Sequence, residues 1–101
     1  MRISDIIVWI NENNVEYDYA GDKDTEIIGF SSLRNYKKDT VTWVKKEQNY
    51  TLCNRPREID FAIVEKGIKV DFKNALYVKN SKELFFLCFD IFGEKKKMMR
   101  E

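Results

Sequence analysis

A chain of 101 residues, 44% apolar and 14% aromatic, has material for one hydrophobic core and little room for a second domain. Its 18 basic and 17 acidic residues leave a net charge of +1, which withholds the basic excess that general nucleic-acid binding needs. The absence of histidine closes the Ser-His, Cys-His and His-metal routes to catalysis but does not exclude catalysis by carboxylates or lysine.

Taken in chain order, Ile3, Ile6, Ile7 and Ile10 recur at helical spacing and predict an amphipathic helix over Ser4 to Asn13. Ser4 is expected to cap its first turn, and Asp5 suits the positive end of its dipole. From Val15 the period becomes two, with Val15, Tyr17 and Tyr19 alternating with Glu16 and Asp18, as in a half-buried strand. Gly21-Asp22-Lys23-Asp24 reads as a turn, and Thr25 to Leu33 as a second extended segment.

Thr40 to Val44 has strong strand propensity. Lys45 to Glu58 is irregular and contains the only proline, Pro56, with a helical turn placed around Gln48 to Cys53. Ile59 to Glu65 and Ala75 to Lys79 read as strands. Asn80, with Glu83 three residues on, predicts a capping box that opens a final helix through Leu84, Phe85, Leu87, Cys88, Ile91 and Phe92, ended by Gly93. The expected fold is an α/β (α+β) sandwich, a mixed sheet of about five strands with a helix near each end of the chain. Residues 1–93 form the single domain, and 94–101 a charged tail or truncated linker.

Several features are excluded. Cys53 and Cys88 fit no metal-ligand spacing, and thiols without a secretory leader point to a reducing cytoplasm. The longest apolar run, Leu84 to Phe89, is far short of a membrane span. The glycines at 21, 29, 67 and 93 stand singly and build no phosphate loop. Asp22, Asp24 and Asp39 are turn formers and not a calcium loop. No cofactor, metal or catalytic residue is expected, and the chain reads as a soluble cytoplasmic domain.

The order of certain stations resembles a known domain. They are Ile3-Ser4-Asp5-Ile6-Ile7, Gly21-Asp22-Lys23-Asp24 leading into Ile27-Ile28-Gly29-Phe30-Ser31-Ser32-Leu33, Asp39-Thr40-Val41-Thr42-Trp43-Val44, Phe61-Ala62-Ile63-Val64, and Ala75-Leu76-Tyr77-Val78-Lys79-Asn80. In this order they resemble the N-terminal uridine-binding domain of the UDP-3-O-acylglucosamine N-acyltransferases of lipid A biosynthesis. The resemblance covers nearly the whole chain to about Phe92.

It implies a domain that holds the uracil and ribose of a UDP-sugar while a separate β-helix domain, served by an acyl carrier protein, transfers the acyl group. It also implies that a strand-end aromatic and a nearby tyrosine sandwich the uracil, with an asparagine between them. Here the aromatic position falls on Trp43, the asparagine position on Lys46, and the tyrosine position on Asn49, one residue before Tyr50. The family's catalytic histidine lies on the β-helix, so this chain alone is expected to be inactive.

Each site residue has a plainer role beside the functional one. Trp43 either stacks on a base or packs in the core. Tyr50 either stacks with it or covers the edge of the sheet. Lys45, Lys46, Arg55 and Arg57 suit a diphosphate or form an ordinary solvated face. Phe86 and Phe89 are the aromatic pair best placed for a partner domain. The competing functional class is therefore a non-catalytic interaction or assembly module that keeps the fold without nucleotide binding; a single-stranded nucleic-acid groove is a third and weaker alternative.

Overall fold

The computed structural model describes residues 1–51 and 56–93. The central feature is a five-stranded mixed sheet in the order β1-β5-β4-β3-β2. The strands are β1 Tyr17–Ala20, β2 Gly29–Phe30, β3 Thr40–Val44, β4 Phe61–Glu65 and β5 Ala75–Val78. Strands β2 to β5 run parallel, and β1 pairs antiparallel with β5.

Sequence and burial agree closely at the centre. Phe61, Ala62, Ile63 and Val64 of β4 are all fully buried, and so are Val41, Thr42 and Val44 of β3. An unbroken apolar run is what a parallel strand covered on both faces requires. β1, at the edge, alternates half-buried tyrosines with exposed residues, because only one of its faces is covered.

One face of the sheet carries the helices. Helix α1, Ile3–Glu12, buries Ile3, Ile6, Ile7 and Ile10 in a cluster with Val41, Phe61, Ile63, Leu76 and Val78. Helix α3, Ser81–Cys88, adds Leu84, Phe85 and Cys88 to the same cluster and continues as a π turn over Phe89–Gly93. The opposite face carries only connections. There Val44, Ile59, Ala62, Val64 and Ala75 pack beneath Tyr36, Tyr50, Ile68, Val70 and Phe72. Short helix α2, Glu47–Thr51, belongs to this layer through Tyr50.

The expected mixed sheet with a helix near each end is present, with local corrections. The second extended segment shortens to Gly29–Phe30, because Glu26 instead bridges to Arg2 and Ile28 N–H donates to the Asp39 carbonyl. Helix α1 starts one residue earlier than expected. Its cap position is Arg2, whose N–H donates to the Asp5 carboxylate at 2.8 Å, so Asp5 and not Ser4 closes the first turn. The capping box of α3 does not form from its own residues. The Ser81 N–H is bonded by the Glu65 carboxylate at 2.8 Å, and the Ser81 hydroxyl donates to the Val44 carbonyl at 3.0 Å. The start of α3 is thereby tied to the ends of β4 and β3.

The amino ends of the parallel strands are held by buried polar groups. The Asp60 carboxylate, 7% exposed, accepts from the Asp39 N–H at 2.6 Å and pairs with Lys73 at 3.2 Å. The Tyr36 hydroxyl donates to the Thr40 carbonyl and accepts from the Asp60 N–H at 2.9 Å. These bonds hold Asp39 in the left-handed region at φ 60°. Asn74 accepts from the Asp22 N–H at 2.6 Å and from the Tyr19 hydroxyl at 3.2 Å, and donates to the Asp60 carbonyl at 2.7 Å.

Gly21 lies against this carboxamide at φ +132°, and a Cβ built there would meet the Asn74 side-chain oxygen and its Cα. Gly21→Ala is expected to lower unfolding free energy by about 2 kcal/mol or more in urea titration. Gly67→Ala, at φ +95° with open space around it, should cost only about 1 kcal/mol. The Thr42 hydroxyl is buried without a hydrogen-bond partner. Thr42→Val keeps the shape and removes the orphan group, and should raise stability by about 1 kcal/mol in the same assay.

Candidate functional site

Open parallel sheets present ligands at the carboxyl ends of their strands. In this sheet the carboxyl end of β3 brings together Trp43, Lys45 and the start of α3. The Trp43 ring is partly exposed and lies on the helical face, its centroid 6.2 Å from those of both Phe85 and Phe86. Lys82 places its ammonium 5.9 Å from the ring centroid, a cation-π distance. Beside this group is a shallow cavity of about 240 Å³ lined by Lys45, Asn80, Lys82, Glu83 and Phe86. Small-molecule pockets run to about 300–1,000 Å³, so this one admits part of a ligand and leaves the rest across the surface.

The remaining predicted residues fall elsewhere. Lys46 and Asn49 are exposed and bonded to one another. The Lys46 N–H donates to the Asn49 side-chain oxygen at 3.2 Å, and the Asn49 N–H donates to the Lys46 carbonyl at 2.9 Å, which closes the first turn of α2. Asn49 thus does for α2 what a glutamate or glutamine does in a capping box.

Tyr50 packs on the opposite face of the sheet from Trp43. Its ring meets Phe72 edge-on at 5.5 Å, and its hydroxyl accepts from the Asp71 N–H at 3.2 Å. The sheet therefore separates Trp43 from Tyr50, and the aromatic sandwich implied by the resemblance does not close here. The physical reason is the α2 turn, which carries position 50 away from the face that residue 43 presents. Arg57 forms a solvent-exposed ion pair with Asp71 at 3.5 Å. Arg55 and Cys53 lie outside the described residues.

Lys82 and Glu83 were not among the predicted binding residues. The sequence reads Glu83 as part of a cap, and Lys82 belongs to the exposed side of a helix whose orientation only the packing reveals. The signal available was their place in the first turn after a parallel strand.

No metal centre emerges among the described residues. No group of three or more His, Cys, Asp or Glu side chains there is placed to hold a metal ion. Cys88 is fully buried, and burial pushes its thiol up to about 12, so it stays protonated and unreactive at neutral pH. Burial, reinforced by the charge of Asp22, likewise raises the Tyr19 phenol to about 12. No described helix is long and apolar enough to cross a membrane. Comparison of the chain with protein-family models, curated proteins and solved structures returns no match.

The raised Cys88 pKa has a consequence for stability. Below about pH 9 the thiol is protonated in both states and its contribution is complete. Above that, the unfolded chain releases a proton that the folded chain retains until about 12, so stability falls with rising pH. Tyr19 acts in the same direction from its ordinary value of 10.0 upward. Urea midpoints measured between about pH 8 and 10 should decline, and Cys88→Ala, though less stable throughout, should show a flatter decline.

Proposed function

We propose that this chain is a non-catalytic recognition domain for a nucleotide sugar of the UDP-acylglucosamine type, working beside an acyltransferase domain that supplies the chemistry. The observation that carries the reading is the partly exposed Trp43 ring at the carboxyl end of a parallel strand, next to a cavity flanked by Lys45 and Lys82. A pyrimidine can stack on one face of an indole, and lysines beside it suit a diphosphate as point charges. With Tyr50 on the other face of the sheet, Trp43 serves as a one-sided platform, and affinity is correspondingly weak. The order of stations along the chain supports the same reading through its resemblance to the uridine-binding domain of the lipid A pathway.

A second reading has its own observation. Phe86 and Leu87 of α3 and Phe89 of the π turn after it expose 49%, 40% and 47% of their surfaces, which suits an interaction or assembly module.

Titration with UDP-N-acetylglucosamine, followed by the indole N–H resonances of Trp43 and Trp9, separates the two readings. The nucleotide reading expects Trp43 to shift and Trp9 to stay. Trp43→Leu should weaken binding by about 5- to 150-fold, the equivalent of 1–3 kcal/mol of base stacking. No shift at millimolar nucleotide leaves the assembly reading.

A further inference from the structure

We infer that Lys82 is a movable cover on Trp43, and that the need to displace it makes the site select phosphorylated nucleotides over bare nucleosides. The inference rests on the nucleotide reading above and names the residue that sets its specificity. Lys82, Phe85 and Phe86 recur at i, i+3 and i+4, so one side of α3 brings all three to the indole. Phe85 is buried, and Phe86 is braced against it edge-on at 5.3 Å. Lys82 is exposed, and no ion pair holds it among the described residues. It can leave the ring without disturbing the core.

The Lys82 ammonium lies over the ring, 5.9 Å from its centroid. A base stacked on that face at about 3.5 Å would come within about 2.4 Å of the ammonium, well inside contact distance. Base and lysine therefore exclude one another, and stacking must break the cation-π contact. The displaced ammonium then needs a counter-charge. Glu83 lines the same cavity, but successive residues of a helix do not face each other, so it does not receive Lys82. Its carboxylate opposes a bound anion, yet Lys45 and Lys82 outnumber it in the cavity lining, so an anion is still drawn there. A diphosphate attached to the base supplies the counter-charge in the same event. A bare nucleoside brings none, and the lost contact goes uncompensated.

The test is titration of the full chain with uridine, UDP and inorganic pyrophosphate, followed by the Trp43 indole N–H resonance. Lys82→Ala should bind uridine about two- to fivefold more tightly, the equivalent of an exposed cation-π contact. The same variant should bind UDP more weakly, so that the preference for UDP over uridine falls about tenfold or more. Lys45→Ala removes a charge from the cavity but none from the ring, and should weaken UDP binding while leaving uridine unchanged. Lys82→Arg should keep the wild-type preference, since a guanidinium serves both contacts. In the unaltered chain, saturating pyrophosphate should tighten uridine binding about two- to fivefold, and in Lys82→Ala it should not. Uridine binding that is unchanged or weakened in Lys82→Ala overturns the inference and leaves the nucleotide reading intact. So does pyrophosphate that leaves uridine binding to the unaltered chain unmoved. A Trp43 resonance silent to uridine and UDP in every variant overturns both.

Discussion

Strands β3 and β4 lie in the middle of a parallel sheet, and both of their faces must be kept from water. Four consecutive residues of β4 are fully buried, so neither side of that strand can be left to solvent. At roughly 25 cal/mol per Å² of apolar surface, leaving either face open would forfeit much of the stabilisation available to so short a chain. The chain meets this demand unequally. Two helices cover one face, and the connections on either side of β3 and after β4 cover the other. The tyrosines and phenylalanines scattered through those connections belong to this second cover, which explains large apolar side chains in segments that otherwise look like loops.

The two ends of the sheet then divide the remaining work. At the amino ends of the parallel strands, hydrogen bonds join Asp60, Tyr36, Asp39, Asn74 and Asp22 into one set. Such a set is useful structurally because each member is satisfied by another, and breaking one bond leaves a costly unpaired group. At the carboxyl ends, Glu65 and Ser81 fasten the start of α3 and leave Lys45 and Lys82 exposed beside the half-buried Trp43. The exposed groups of this end lie next to the start of α3.

Trp43 occupies an intermediate place between core and site. Contacts with Phe85 and Phe86 anchor it, and the Lys82 ammonium near its ring shows that part of the indole remains within reach of charged groups. Phe86 connects this ring to the exposed aromatic patch further along α3.

The local patterns were enough to show the secondary structure of the centre. The spacing of Ile3, Ile6, Ile7 and Ile10, the β-branched run at 40–44 and the apolar run at 61–64 each admit essentially one element type, because a helix stripe and a two-sided strand impose different periods. The segment Thr25 to Leu33 was less legible, since its backbone partners are distant in the chain and only the folded sheet decides how much of it pairs. The same holds for the caps. Glu65 closes α3 from another strand, and no reading of the residues around Asn80 reveals that bond.

What the linear order determined by itself is the fold class, the candidate Trp43 and the absence of histidine chemistry. Tertiary structure alone decided that Trp43 and Tyr50 stand on opposite faces of the sheet, and that Lys82 rather than Lys46 reaches the indole. The reason is geometric. Periodicity reports which way a side chain points within its own element, whereas the face it shares with residues elsewhere depends on how the α2 turn and the start of α3 leave their strands.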